Sequence, residues 1–207
     1  MRIVDMSREP RAAQFDYFMS LPNPHAAVTA NCDITHLHRV VKERGYPFFL
    51  SLLYCAIHAA NSIPEFRRRI KDGQVVEFEN CLSSHTVALD NGAYCYCELD
   101  CSRPFDEFLP YAAEKVARAK AHPVLADETD TLQLYFVSSL PWISFTALQH
   151  PTTGPLDSNP RITFGKFFEQ DGRILLPLNL ELHHALADGI HFARFYEAFH
   201  RLVSEMK

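Results

Sequence analysis

Residues 161–203, "RITFGKFFEQDGRILLPLNLELHHALADGIHFARFYEAFHRLV", constrain the fold more than any other stretch of the chain. Two alternating β-rich runs meet at Asp171-Gly172, a residue pair suited to a tight hairpin turn. The second run ends in two histidines, and beyond Asp188-Gly189 the residues Phe192, Phe195, Tyr196, Phe199, Leu202 and Val203 recur at helical spacing. A long strand followed across a turn by an amphipathic helix buries both apolar surfaces only when the helix lies on a sheet.

The rest of the chain supplies matching parts. Residues 11–20 predict a short helix, "AAVTANCDI" a strand, and "THLHRVVKERG" a helix that stops at Gly45. "PFFLSLLYCAIHAANS" is too apolar for a surface helix and opens at Pro47, so it predicts a buried one. "KDGQVVEFEN" predicts a turn and strand, and "HTVALDNGAYCYCELD" two strands around Asn91-Gly92. "PFDEFLPYAAEKVARAKAH" returns to helix, and Leu132–Leu148 reads as two β-rich pieces broken at Pro141. The mixed order predicts an α/β two-layer sandwich, with a mixed, largely antiparallel sheet covered by helices, in a single domain over residues 1–207.

A net charge of -5 with no basic run argues against a nucleic-acid surface. No stretch reaches membrane-spanning length, and the charged N-terminus is unlike a signal peptide, so a cytoplasmic protein with no membrane partner is expected. The six cysteines are expected to be reduced thiols. In "CYCELDC", Cys95 and Cys97 alternate along a strand, which fits core packing better than a zinc cluster. Arg67–Arg69 reads as a solvated helix face, and His25 and His150 as polar loop surface.

Alternation through "LPLNLELHH" places Leu178, Leu180, Leu182 and His184 on one, inward face, with Asn179, Glu181 and His183 on the other. An imidazole on an apolar face beside a turn is suited to general-base work, because burial holds it neutral near pH 7. It is equally suited to being a satisfied core histidine. His183, His184, Asp188 and His191 are all metal-ligand types, but adjacent strand histidines point apart and do not readily share one ion, so no metal is expected. Asp188 is placed to accept backbone N–H bonds at its turn, and if buried it needs a cation.

The spacing His-x-x-x-Asp-Gly is similar to that of coenzyme A-dependent acyltransferases, and four further segments narrow the resemblance to the chloramphenicol acetyltransferase family. "SSLPWISFTAL", "RITFGKFF", "IPEFRRRIKDGQVVEFE" and "CDITHL" each resemble a family segment, in order, over nearly the whole chain. The resemblance implies transfer of an acetyl group from acetyl-CoA to a small-molecule hydroxyl acceptor, with chloramphenicol the first to test. It also implies a homotrimer with its active sites at subunit interfaces.

Carried over by position, His184 is the base, Ser138 the oxyanion donor, and Thr163 a holder of an active-site water. Asp188 and Arg11 form a supporting ion pair. Trp142, Lys166, Phe167 and Arg44 fall at or beside coenzyme A positions, although Phe167 stands for a tyrosine and Arg44 for a lysine. Tyr17, Phe18 and Tyr94 keep aromatics of the acceptor site. Ala26 and Leu148 replace larger aromatics, which implies an acceptor site wider on one side. The rival readings are a dihydrolipoyl-acyltransferase-like enzyme, which shares the His-x-x-x-Asp-Gly element but not the Pro-Trp-x-x-Phe segment, a non-catalytic ligand-binding trimer, and a metal-binding protein centred on the histidines.

Overall fold

The computed structural model describes residues 1–207. In chain order the elements are β1 (Arg2–Val4), α1 (Ala12–Met19), β2 (His25–Asp33), α2 (Thr35–Arg44), α3 (Phe48–Asn61), β3 (Arg68–Lys71), β4 (Gln74–Glu77), β5 (Leu82–Ala88) and β6 (Tyr94–Leu99). They continue with α4 (Phe105–Ala121), β7 (Leu134–Leu140), β8 (Arg161–Gly165), β9 (Phe168–Gln170), β10 (Arg173–His183) and α5 (Gly189–Glu205). The main sheet has the order β2-β10-β8-β7-β5-β6, with β9 pairing on β10, and β1, β4 and β3 form a second, small sheet. β5, β7 and β8 run parallel to one another and the other pairings are antiparallel, so the sheet is mixed.

Strand register sorts the side chains onto two unlike faces. On one face lie Leu176, Leu178, Leu180 and Leu182 of β10, Ile162 and Phe164 of β8, Tyr135 and Val137 of β7, and Cys95 and Cys97 of β6, all buried. Helices α3 and α5 pack on each other against this face and α4 covers its β5–β6 end, so the hydrophobic drive of the fold is concentrated on one side. The opposite face carries Thr29, Asn179, Glu181, His183, Arg161, Thr163, Ser138, Ser84 and Thr86. No helix covers it, and the irregular segment 141–160 passes over part of it through polar contacts such as those of His150 and Asp157.

The second β piece expected after Pro141 is absent: β7 ends at Leu140, and residues 141–160 form no strand. Pro141, Pro151, Pro155 and Pro160 remove N–H groups at intervals that deny the segment a continuous ladder. The arginine run is also not a solvated helix face. Arg68 and Arg69 lie in β3 and are buried, because Arg68 pairs with Glu77 and Glu9 while Arg69 donates to the carbonyls of Phe66, Arg68 and Leu134. Gly45 ends α2 with φ of 70°, the left-handed cap that glycine adopts without strain.

Candidate active site

His184 sits one residue beyond the end of β10, in the turn that leads to α5, and is half-buried rather than part of the apolar face. Its backbone is held from both sides. The His184 N–H donates to the Pro24 carbonyl at 2.7 Å, and Arg11 Nη2 donates to the His184 carbonyl at 3.0 Å. The ring lies flat on Phe18, with centroids 3.9 Å apart and planes within 7°. Tyr17, largely exposed, packs edge-on to Phe18 at 5.1 Å.

His183 differs in every respect: it lies on the opposite face, as strand parity implies, and is buried there under the segment 141–160. It is 2% exposed, its Nε2 donates to the Pro155 carbonyl at 2.8 Å, and its Nδ1 accepts from the Ala185 N–H at 3.3 Å. This network fixes the Nε2–H tautomer and occupies the one basic lone pair. Burial, only partly offset by the Pro155 bond, pushes the ring's pKa down to about 4. His184 Nδ1, by contrast, has no partner within the chain.

Asp188 is the N-cap of α5, accepting from the Ile190 N–H at 3.3 Å, with Nδ1 of His191 at 2.8 Å. Its other oxygen lies 3.2 Å from Arg11 Nε. Burial raises this carboxyl, but Arg11 and His191 outweigh it and hold the pKa below the usual carboxylate value. The side chain is 34% exposed, so the pair sits at the solvent boundary and not in the interior. Arg11 thereby joins the His184 main chain to the Asp188 side chain. The four ligand types His183, His184, Asp188 and His191 do not converge on a metal position.

Ser138 lies elsewhere. It faces a pocket of about 320 Å³ on the polar side of the sheet, with Tyr94, Thr86 and His150. The register Ser138↔Thr163↔Asn179 places it two strands across from β10 and five residues back from His184. At about 4.8 Å per strand and 3.3 Å per residue, the two are roughly 19 Å apart within one chain. Thr163 is fully buried, and its hydroxyl is bonded to His150 Nε2 at 2.8 Å instead of opening on that pocket. His150 is therefore not loop surface: burial depresses its pKa, and its backbone N–H donates to Glu181 at 2.8 Å. His25 is likewise engaged, with Nε2 at 2.7 Å from the Asp157 carbonyl.

Lys166 and Phe167 line a second pocket, of about 900 Å³ and mostly apolar, between α3, α4 and the ends of β5, β7 and β8. Phe167 packs against Phe48 and His38. β5 and β7 pair only as far as His85↔Val137 and then diverge, so His85 and Thr86 line both this pocket and that of Ser138. Trp142, 76% exposed in the turn after β7, and Arg44, exposed at the end of α2, lie outside it. Leu148 borders a third pocket of about 430 Å³ with His25, Ala27, Ala147 and Glu181. Ala26 reaches that pocket from the sheet edge only, because its register with Leu182 turns its methyl to the helix-covered face. Glu181, Asn179, Arg161 and Asp157 were not singled out by sequence reasoning: Glu181 and Arg161 border two of these pockets, Asn179 donates to the Leu148 carbonyl and Asp157 holds Arg161. Polar residues at alternate positions of β10 were the only signal for Glu181 and Asn179, and Asp157, in the irregular segment, had none.

Comparison with known proteins places this arrangement. The family profile described as Chloramphenicol acetyltransferase matches residues 1–200. The chain belongs to the chloramphenicol acetyltransferase family. A chloramphenicol acetyltransferase of Proteus mirabilis is 27% identical over 209 residues, covering 98% of this chain and 94% of its own. A solved chloramphenicol acetyltransferase superposes with a TM-score of 0.91 at 26% identity, covering 98% of this chain and 99% of its own. The cubic core of a pyruvate dehydrogenase multienzyme complex shares the fold, with a TM-score of 0.70 at 22% identity over 99% of this chain and 92% of its own. The chain is thus an acyltransferase of the chloramphenicol acetyltransferase type, and no helix in it is long and apolar enough to cross a membrane.

Proposed function

We propose that this chain moves an acetyl group from acetyl-CoA to a hydroxyl of chloramphenicol or a related small acceptor, with His184 as general base. The observation that carries the reading is the contrast between the two histidines: His183 has both ring nitrogens bonded, whereas His184 is pinned by its main chain and by Phe18 with no carboxylate on its ring. His184 Nε2 takes the proton of the acceptor hydroxyl as that oxygen attacks the thioester carbonyl. Ser138 donates a hydrogen bond to the oxyanion that forms. On collapse the C–S bond breaks, and the imidazolium returns its proton to the departing thiolate. Asp188 and Arg11 hold the turn, and Thr163 acts through His150.

A separation of roughly 19 Å between Ser138 and His184 is too great for both to reach one carbonyl, given strand spacing and rise. They serve one reaction only if each comes from a different copy of the chain, which favours self-association with interfacial sites; the homotrimer is what the family resemblance implies. The exposed Tyr17, Tyr94 and Ile143 provide apolar surface for such contacts. The parting of β5 from β7 supports passage of the acyl-pantetheine arm from the apolar pocket to Ser138. Lys166 and Phe167 then contact coenzyme A at its mouth, and Trp142 and Arg44 the more exposed nucleotide end.

Release of free coenzyme A thiol from acetyl-CoA, followed across a panel of hydroxyl acceptors, tests the activity. Mixed assembly of His184→Ala and Ser138→Ala chains tests the interface: activity should return in the hybrids although each variant alone is impaired by at least about a hundredfold. Hybrids that stay inactive would place both residues in one chain's site.

A further inference from the structure

The pocket bounded by Leu148 holds an acidic group that the family reading does not use. Glu181 is 1% exposed, yet it makes no ion pair and one of its oxygens, Oε1, is buried without any hydrogen-bond partner. Its other oxygen accepts only the His150 N–H. The cation best placed to neutralise it is Arg161, its cross-strand partner on β8. Arg161 is turned away, however, with Nη2 at 2.6 Å from Asp157 and Nη1 donating to the Asn159 carbonyl. On the other side, the cross-strand partner is Ala27, whose methyl offers no donor. Two residues back on the same face, the buried Oδ1 of Asn179 is also unpartnered.

A carboxylate out of water with neither cation nor full hydrogen bonding is costly, so such groups are found where a counter-charge arrives. Glu181, Ala27, Ala147 and Leu148 border the same cavity of about 430 Å³, enough for a substituent rather than for water alone, and of its polar neighbours His25 has its ring nitrogens on Asn23 and the Asp157 carbonyl while Gln149 makes no bond to Glu181. We infer that Glu181 is the recognition group for a cationic nitrogen carried by the natural hydroxyl acceptor. An amine on that acceptor would sit between Ala27 and Leu148, with its N–H groups on Glu181 Oε1. Glu181 lies three residues before His184, which follows the last residue of β10, so their Cα atoms are about 10 Å apart. This inference rests on the acceptor reading proposed above.

The test uses a matched pair of amino alcohols, 2-amino-1-phenylpropane-1,3-diol and its N-acetyl derivative. Binding of each to the whole protein is measured by calorimetry without coenzyme A, and acetylation is measured separately. The free amine is expected to bind at least tenfold more tightly than its amide, and E181Q should abolish that preference. Ala27→Leu, an exposed substitution that narrows the pocket, should weaken amine binding by a similar factor even if E181Q folds poorly. Equal affinities for amine and amide, or a preference unchanged in both variants, would overturn the inference. It is likewise overturned if E181Q alters only the oligomer mass, which would assign the counter-charge to a second copy of the chain. Charge-dependent binding without acetylation of any acceptor would leave the Glu181 site standing and remove the transferase reading; acetylation without charge preference would do the reverse.

Discussion

Replacing the two neighbouring histidines one at a time should separate chemistry from stability. His183→Ala removes a ring that is 2% exposed and orphans two main-chain groups, the Pro155 carbonyl and the Ala185 N–H. Lost packing and the unsatisfied groups together cost about 3 kcal/mol. For a chain of 207 residues that corresponds to a fall in Tm of roughly 6–12 °C. His184→Ala forfeits the face-to-face contact with Phe18 at 3.9 Å, worth about 1 kcal/mol, and so shifts Tm by only a few degrees. The kinetic effects should run the other way. Loss of the base should lower kcat by about 10²–10⁴-fold, while His183→Ala, assayed well below its own Tm, should stay within about fivefold of the parent. Thermal denaturation at one fixed protein concentration, which matters for any self-associating chain, and thiol release at 25 °C measure the two quantities. A His183→Ala protein with an unchanged Tm and a loss of more than a hundredfold in kcat, beside an active His184→Ala protein, would refute the assignment.

Three further outcomes are expected. Ser138→Ala should reduce kcat by about 10²–10³-fold and leave KM nearly unchanged, and steady-state kinetics showing a loss in KM alone would remove Ser138 from the oxyanion role. Asp188→Ala should lose a helix cap and a half-exposed ion pair, about 2 kcal/mol by denaturant titration, less than a fully buried pair would cost. Arg11→Ala should lower both stability and turnover, and the double variant should show a coupling of about 0.5–1 kcal/mol; an inactive Asp188→Ala of unchanged stability would instead put Asp188 in the chemistry. Finally, burial depresses His183 and His85 from 6.5 to about 4. Between those values the unfolded chain binds more protons, so the stability these rings contribute is present above pH 6.5 and lost as pH falls toward 4, by about 3 kcal/mol for each. Denaturation midpoints at pH 7.5 and 5 should show the fall, and His183→Gln should reduce it by about half.

What was legible in the sequence was what repeats. The helical spacing from Phe192 to Val203, the Asp171-Gly172 turn and the apolar run of α3 each express a local period, and each appears in the fold where that period places it. The relation of Arg11 to Asp188 needed the family resemblance, since 177 positions of sequence separate two residues that lie 3.2 Å apart. The misreadings share a cause. Arg68, Arg69 and His150 look like surface residues because what satisfies them, the carboxylates of Glu9 and Glu77, main-chain carbonyls that include that of Leu134, and the hydroxyl of Thr163, comes together only in the fold and is announced by no local pattern. The polar face of β10 was visible as alternation, but parity alone does not tell whether the polar side meets water or a covering loop. Here it met the loop.

β10 pairs with β2 at nine successive positions, from Leu175↔Asp33 to His183↔His25. A shift of one residue would send Leu176, Leu178, Leu180 and Leu182 to the polar side and Asn179, Glu181 and His183 into the core, so the alignment is held by the whole apolar face. The difference between His183 and His184 is therefore a property of counting along the ladder and not of the two imidazoles themselves. A single-residue insertion inside this strand would deliver to Phe18 the ring now locked on Pro155, and a deletion would put His184 in that locked place and leave Ala185 against Phe18. Length variation among natural or evolved versions of this protein should consequently be absent from this strand and collect at the Asp171-Gly172 turn, where an added residue leaves the count intact.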